Sequence, residues 1–509
     1  MLAKTNSAAL YGLESYPLSV EVDISNGLPG FEIVGLPDAA VRESKERVKA
    51  AIKNSGFHFP NKKVIINLAP ADLRKDGTIL DLPIAVALLI ATEQLTLPPE
   101  TTCYFLGELS LDGSIMPVNG ILPLVNGIGK IQPGAAVFLP QANGPEGALN
   151  RSVEIYAPKN LRQLSRFLWG EESLEPVQIE SGVSELLNGA VAETIDMQDI
   201  KGQKSVKRGL EIAAAGGHNV LLLGVPGSGK TLLARSMPTI LPPLSEEEAL
   251  ECTCLYSLAG ELNGRYLIKE RPFRSPHHTA SAVSLIGGGA YPRPGEISMA
   301  YHGVLFLDEM VEFSKGVLQV LRQPLEDRVI HISRAAGSFT FPADFQLVGA
   351  TNPCPCGYYG DPEKECICTP SQIKKYFGRL SGPLLDRIDL QIEVKRLTYD
   401  ELHAEGAEES SAAIRERVLK ARKIQELRYK ALGFTTNAQL NRKYLPEYCA
   451  LDTGASSILA KIFERMHLSA RAHDRILKVA RTIADLSGSE AITADNILEA
   501  VQYRSLDRL

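Results

Sequence analysis

At 509 residues the chain is longer than one compact domain accommodates, so two or three domains are expected. Its 44% hydrophobic and 22% charged residues are those of an ordinary globular protein, and no low-complexity tract or short-period repeat interrupts them. The net charge of -6 excludes a chain that is basic throughout, while leaving open a basic strip on one surface.

The first residues, MLAKTNSAALYGLESYPL, have no continuous apolar core and do not read as a signal peptide. The most apolar stretch, residues 80–91, is short and broken by Asp81 and Pro83, too little to span a bilayer. A cytoplasmic location without membrane contact is the expectation. Residues 1–175 carry Lys75-Asp76-Gly77 and a second motif running from Gly107-Glu108 to Gly120-Ile121. On these two motifs the region resembles the Lon-protease C-terminal fold, an α+β domain of the ribosomal S5 type. That resemblance implies a serine nucleophile shortly after the first motif and a lysine two residues past the last glycine. The corresponding positions fall at Ile79 and Leu122, which can neither attack nor accept a proton, so no proteolysis is expected. A collar that stabilises an assembly or guides DNA is the expected role instead. Arg42, Arg47, Lys49, Lys62 and Lys63 offer basic surface for it, although such a run also suits a plain solvated face. Residues 176–195 read as a linker.

The strongest local signal follows. An apolar run from Asn219 enters Gly224-Val-Pro226-Gly227-Ser228-Gly229-Lys230-Thr231-Leu232, and a helical pattern continues from there. Glycines let backbone N–H groups curl around phosphates; Lys230 would reach the β and γ phosphates of ATP, and Thr231 would hold Mg²⁺. Residues 303–307 form a second buried-strand pattern ending in Asp308-Glu309. Asp308 is placed to hold the Mg²⁺ water shell and Glu309 to orient or deprotonate an attacking water. Residues 328–342 read as a hairpin with its turn near Ser333-Arg334. A third strand pattern, residues 345–350, ends in Thr351-Asn352, where Asn352 could sense the γ-phosphate as well as form an Asn-Pro turn.

Cys354-Pro-Cys356 and Cys366-Ile-Cys368 come directly afterwards. Four thiolates in one short loop suit a closed, structural Zn²⁺ site, with no open position for catalysis. The same cysteines are also open to reading as small apolar packing residues. Cys252 and Cys254 lie in a helical pattern and read as packing; Cys103 and Cys449 carry no motif. Further on, Asp386-Arg387 precedes an alternating strand pattern at residues 390–394. Arg387 is the expected arginine finger acting on a neighbouring subunit's nucleotide, with Arg379 in reserve. Helical patterns fill residues 396–509, and Arg471, early in one of them, could reach back to the γ-phosphate.

Taken together these residues resemble the AAA+ superfamily. Arg271-Pro-Phe-Arg-Ser-Pro-His277-His278-Thr, Gly287-Gly-Gly, Pro294-Gly-Glu296 and Leu321-Arg-Gln-Pro-Leu-Glu-Asp look like its chelatase-type branch. With residues 27–52 and 67–77, nearly the whole chain resembles the YifB/ComM family of magnesium-chelatase-like proteins. The resemblance implies an α/β fold: a Lon-like domain at 1–175, a P-loop α/β module at 196–395, and a helical lid at 396–509. It also implies a helix-2 insertion around residues 258–298 which, with the 328–342 hairpin, lines the central pore of a ring. Arg334, flanked by Ser333 and His331, is the first choice for a DNA phosphate contact, the alternative being a solvated turn. The expected function is a homohexameric, ATP-dependent DNA helicase that drives branch migration in homologous recombination, in support of natural transformation. The alternative is a magnesium-chelatase-like ATPase that remodels a partner protein.

Overall fold

The computed structural model describes residues 2–71, 75, 77–180, 182–187, 195–289, 292–334, 337–403 and 406–504. They divide into two compact units. The first joins Met1–Gly189 to Ser245–Lys269; the second joins Ala190–Leu244 to Glu270–Leu509.

In the first unit, β1 (Leu2–Tyr11) and β2 (Glu14–Ser25) pair antiparallel over their length, from Leu2↔Asp23 to Tyr11↔Glu14. With β3 (Gly30–Val34), β4 (Lys63–Ala69), β5 (Cys103–Phe105), β6 (Ala136–Phe138) and β7 (Glu154–Tyr156) they form one sheet, ordered β3-β4-β2-β1-β5-β6-β7. Alternate residues Val20 and Val22 on β2, and Val64, Ile66 and Leu68 on β4, point into the core, as the two-residue period of a strand requires. The helix Ala39–Asn54 is capped by Asp38, whose side chain accepts from the Val41 N–H at 2.7 Å, and it buries Val41, Val48 and Ile52. The helix Asp81–Ala91 is apolar nearly all round and therefore buried.

Asp81 is the one charge on that helix, and Arg47 neutralises it. Arg47 Nε donates to Oδ2 at 2.8 Å and Nη2 to Oδ1 at 3.2 Å. Burial still pushes the Asp81 carboxyl up to about 6, against the pull of Arg47. Arg47 is thus committed inward, which corrects its assignment to a basic surface; Arg42 and Lys62 are exposed. Ile79 sits half-buried in the turn Thr78–Leu80, and Leu122 is fully buried. Asp76 of the first motif lies outside the described residues. Part of the stretch read as a linker is structured: the Val177 N–H donates to Ile155 O at 2.7 Å, and Val183–Leu187 is a short helix.

The helix Glu246–Ala259 also belongs to this unit. Ser245 and Glu248 cap it reciprocally, and it packs on the helix Ile121–Ile131. Its Ser257 hydroxyl donates to buried Glu146, which also accepts from the Leu122 N–H at 2.8 Å and from Asn143 Nδ2 at 3.0 Å. Cys252 is buried, and Cys254 Sγ accepts from Asn126 Nδ2 at 3.4 Å.

The second unit is α/β. Five strands, β8 (Val220–Gly224), β9 (Phe273–Arg274), β10 (Val304–Leu307), β13 (Gln346–Thr351) and β14 (Leu390–Val394), form a wholly parallel sheet ordered β9-β10-β13-β8-β14. β8, β10 and β13 are buried along their whole length, whereas β14 at the edge leaves Glu393 exposed. β11 (Val329–Arg334) and β12 (Gly337–Pro342) form a separate antiparallel hairpin. From Ser411 onward the unit is mainly helical, and Ile414, Val418, Ile476, Ile483 and Ile497 extend the same core as the sheet.

A buried charge cluster ties this helical part together. Asp485 accepts from Arg428 at 2.6 and 2.9 Å, from Arg481 Nε at 3.1 Å and from Asn437 Nδ2 at 2.8 Å. Replacing it would strand two arginines in a place with little water. Asp485→Ala should cost about 3–5 kcal/mol of stability, read as a lowered denaturant midpoint in chemical unfolding. An unchanged midpoint would show the cluster to be energetically idle.

Candidate functional site

β8 lies between β13 and β14, and the chain leaves it first to one side and later to the other. Ligands of open α/β sheets bind at the carboxyl ends of strands beside such a reversal. Here those ends bring Gly224, Asp308 and Asn352 together. Gly227 and Gly229 have φ of +78° and +90°, the left-handed region that favours glycine, and a Cβ on either would project into open space. The backbone thus curls out of β8 and re-enters the helix Lys230–Ile240, whose first N–H groups have no intrahelical partner.

Lys230 is nearly buried. Its Nζ donates to Gly224 O at 2.6 Å, Val225 O at 3.0 Å and Asn352 Oδ1 at 3.2 Å. Burial lowers its pKa, and Asp308 and Glu309 oppose that shift. The Thr231 hydroxyl donates to Asp308 Oδ2 at 2.9 Å, while Asp308 Oδ1 accepts from the Glu309 N–H at 3.0 Å. Ser228 Oγ is buried with no hydrogen-bond partner. A cationic Nζ held only by neutral oxygens, an unpaired hydroxyl and an open glycine loop fit an incoming polyphosphate. The Thr231–Asp308 oxygen pair fits the hard, oxygen-liganded Mg²⁺ that accompanies one. Pro226 and Leu232 are exposed at the rim of the loop.

Glu309 is not glycine yet has φ of +48°, a conformation costing on the order of 1 kcal/mol or more. Its carboxylate Oε2 lies 3.6 Å from His278 Nδ1. In the sequence His278 stands only as part of a motif; its approach to Glu309 depends on β9 and β10 being neighbours, which no local pattern announces. Lys230, Thr231, Asp308, Glu309, Asn352 and His278 are therefore gathered at one place.

The remaining expected residues stand outside that hydrogen-bonded set. Arg387 is 13% exposed, donates to Glu326 and to Pro383 O within its own chain, and has a buried, unpartnered Nε. Arg379 pairs with Glu312 at 2.8 Å. Arg471 is well exposed, with Nη1 3.0 Å from Asp386 Oδ2. Neighbouring Asp389 is fully buried. Burial opposes its ionisation, but Arg475, His218 and Lys478 outweigh it and hold the carboxyl far below the usual carboxylate range. Arg334 lies exposed at the end of β11, its Nη1 donating to Ser333 O at 3.2 Å. His331 meets Thr340 at 3.1 Å and, by the two-residue period of a strand, shares its exposed face with Ser333. Ala335 and Ala336, between the hairpin strands, lie outside the described residues.

Past Asn352 the four cysteines converge. Cys354 Sγ lies 3.3 Å from that of Cys356 and 3.7 Å from that of Cys366, the Cys356–Cys366 separation is 3.6 Å, and all four sulfurs lie within 4.8 Å of one another. The group has the geometry to hold a metal ion. Backbone N–H groups of Tyr358 and Ile367, with the neighbouring thiols, bring Cys356 down to about 6.

Comparisons with known proteins agree on the relationship. Residues 196–402 match the family model for magnesium chelatase, subunit ChlI. Residues 20–143 match that for subunit ChlI of Mg-chelatase, and residues 408–504 that for its C-terminal region. The chain is 44% identical to YifB of Salmonella typhimurium over 509 residues, covering 100% of this chain and 98% of the relative. It is 43% identical to competence protein ComM of Haemophilus influenzae over the same shares. The 67 kDa magnesium-chelatase subunit of Heliobacterium mobile is 26% identical over 196 residues, covering 33% of this chain and 29% of that protein. The chain belongs to the YifB/ComM family of magnesium-chelatase-like AAA+ ATPases.

Proposed function

We propose that this member of the YifB/ComM family is an ATP-driven DNA motor, a homohexameric ring that moves on DNA and promotes branch migration during recombination. The name competence protein, carried by the Haemophilus relative, supports a part in the uptake and integration of DNA. The observation that carries the motor reading is the joining of Lys230, Thr231, Asp308 and Asn352 at three adjacent strand ends.

In this reading the loop from Gly224 to Thr231 cradles the phosphates, and Lys230 exchanges its carbonyl partners for phosphate oxygens. Thr231 and Asp308 hold Mg²⁺, which neutralises charge on the β and γ phosphates when bound. Glu309 orients the attacking water, Asn352 marks the γ-phosphate, Arg387 completes the site of the adjacent subunit, and Arg471 reaches from the lid. A Lon-like first unit without peptidase residues serves as collar. The hairpin with Arg334, Ser333 and His331 faces the pore, and the cysteine group holds structural zinc.

Steady-state ATP hydrolysis with single-stranded, duplex and branched DNA tests the motor. Stimulation of several-fold by DNA, weakened in Arg334→Ala and steeply salt-dependent, is the expected result. The matches to magnesium chelatase favour a second reading, an ATPase that remodels a partner protein. Robust hydrolysis indifferent to every DNA would move the assignment there.

A further inference from the structure

Gly357, next to Cys356, adopts φ of +88°, and a Cβ there would lie 2.9 Å from Pro226 Cδ and Cγ. The loop that carries the cysteines therefore lies directly against the rim of the phosphate loop. Two residues before Cys354, Asn352 holds Lys230. One short segment thus meets the phosphate cradle at two points, Pro226 and Lys230, and that segment has little apolar core. Ile367 is 86% exposed and Tyr359 is 46% exposed; within residues 354–368 Cys354 and Gly357 are buried.

From this arrangement we infer that a single zinc ion in the Cys354–Cys356–Cys366–Cys368 cage fixes the wall of the nucleotide pocket, so that the affinity for nucleotide depends on the zinc. The inference rests on reading the Lys230 loop as the nucleotide site. A tetrahedral ion at about 2.3 Å from each sulfur needs sulfur–sulfur edges of about 3.8 Å. The three edges among Cys354, Cys356 and Cys366 are 3.3, 3.6 and 3.7 Å, close to that span before any ion draws the thiolates into place. Sulfurs packed this closely suit one ion rather than an iron–sulfur cluster, whose several metals set its ligands farther apart. The Cys368 N–H directed at Cys366 Sγ, at 3.4 Å, supplies the outer hydrogen bonding that metal thiolates use. With four thiolates the ion has no open position, so its part is to position Gly357 and Asn352 and not to react.

The test uses the full-length protein, purified without chelator, with metal content measured by plasma mass spectrometry. Affinity for a fluorescent ATP analogue in excess Mg²⁺ is then measured before and after a zinc-selective chelator, and after zinc is returned. One zinc per chain is expected, with the Kd rising by roughly tenfold or more on removal and recovering on return, as misplacement of a positioned group predicts. Gly357→Ala should keep its zinc yet bind the analogue more weakly, because it pushes the loop off Pro226 with the cage intact. This variant carries the test if Cys366→Ser fails to fold. Zinc present, with affinity unmoved both by its removal and by Gly357→Ala, would overturn the coupling while leaving a structural cage. Protein that binds nucleotide but carries no zinc, or carries iron, would overturn the metal assignment. Zinc-loaded protein that binds no nucleotide at all would overturn the ATP reading itself, and the coupling with it.

Discussion

Glu309→Gln is expected to retain ATP and lose hydrolysis by about 10²–10⁴-fold, the range set by removing a positioned general base. The side chain keeps its size, and the backbone turn at φ of +48° and its N–H bond to Asp308 are undisturbed. What disappears is the acceptor for a proton of the attacking water. Because Lys230, Thr231 and Asp308 are untouched, the Kd for ATP should change little, so the protein should accumulate in the ATP-bound form. Single-turnover hydrolysis beside equilibrium binding separates the two effects. Normal turnover in a ring built from Glu309→Gln subunits would remove Glu309 from the chemistry.

Arg387→Ala should bind ATP as well as the parent and lose turnover by about 10³–10⁵-fold, the effect of an arginine finger. In the single chain this guanidinium rests on Glu326 and the Pro383 carbonyl, with Nε unpaired. In the proposed ring, this buried, unused donor would let the arginine trade a carboxylate for a phosphate supplied by another subunit. Mixed rings decide the matter. Subunits carrying Arg387→Ala should regain hydrolysis in their own sites when parent subunits sit on the side that supplies the finger. They should gain nothing when paired with one another. Full activity in a pure Arg387→Ala ring would shift the role to Arg379, which now pairs with Glu312.

The legible parts of this chain are those encoded within a few residues of one another. The strand, glycine loop and helix around Lys230 declare themselves through an apolar run, three glycines and a helical period. The strand ending in Asp308-Glu309 does the same. The α/β fold is what the resemblance carried by those motifs implies, and the helical C-terminal region follows from the helical patterns after residue 395. Contacts between distant segments leave no such trace. Arg47 reads as surface charge because its partner, Asp81, is brought to it only when the two helices pack. His278 reaches Glu309 across neighbouring strands, and Gly357 meets Pro226 across more than a hundred residues of sequence. Nor does the chain give any sign that residues 245–269 fold with the N-terminal sheet, since their helical pattern says only that one face is buried.

That last assignment has a consequence for synthesis. Domains usually fold in the order in which they leave the ribosome. Here the first unit waits for the helix Glu246–Ala259, so the buried carboxylate of Glu146 meets Ser257 only after the phosphate loop has already emerged. Meanwhile β8, with every residue destined for burial, has neither β13 nor β14 to pair with, because both are still unmade. The nascent chain must therefore carry one half-finished unit and one bare apolar strand at the same time. Neither can be completed without the other being partly translated.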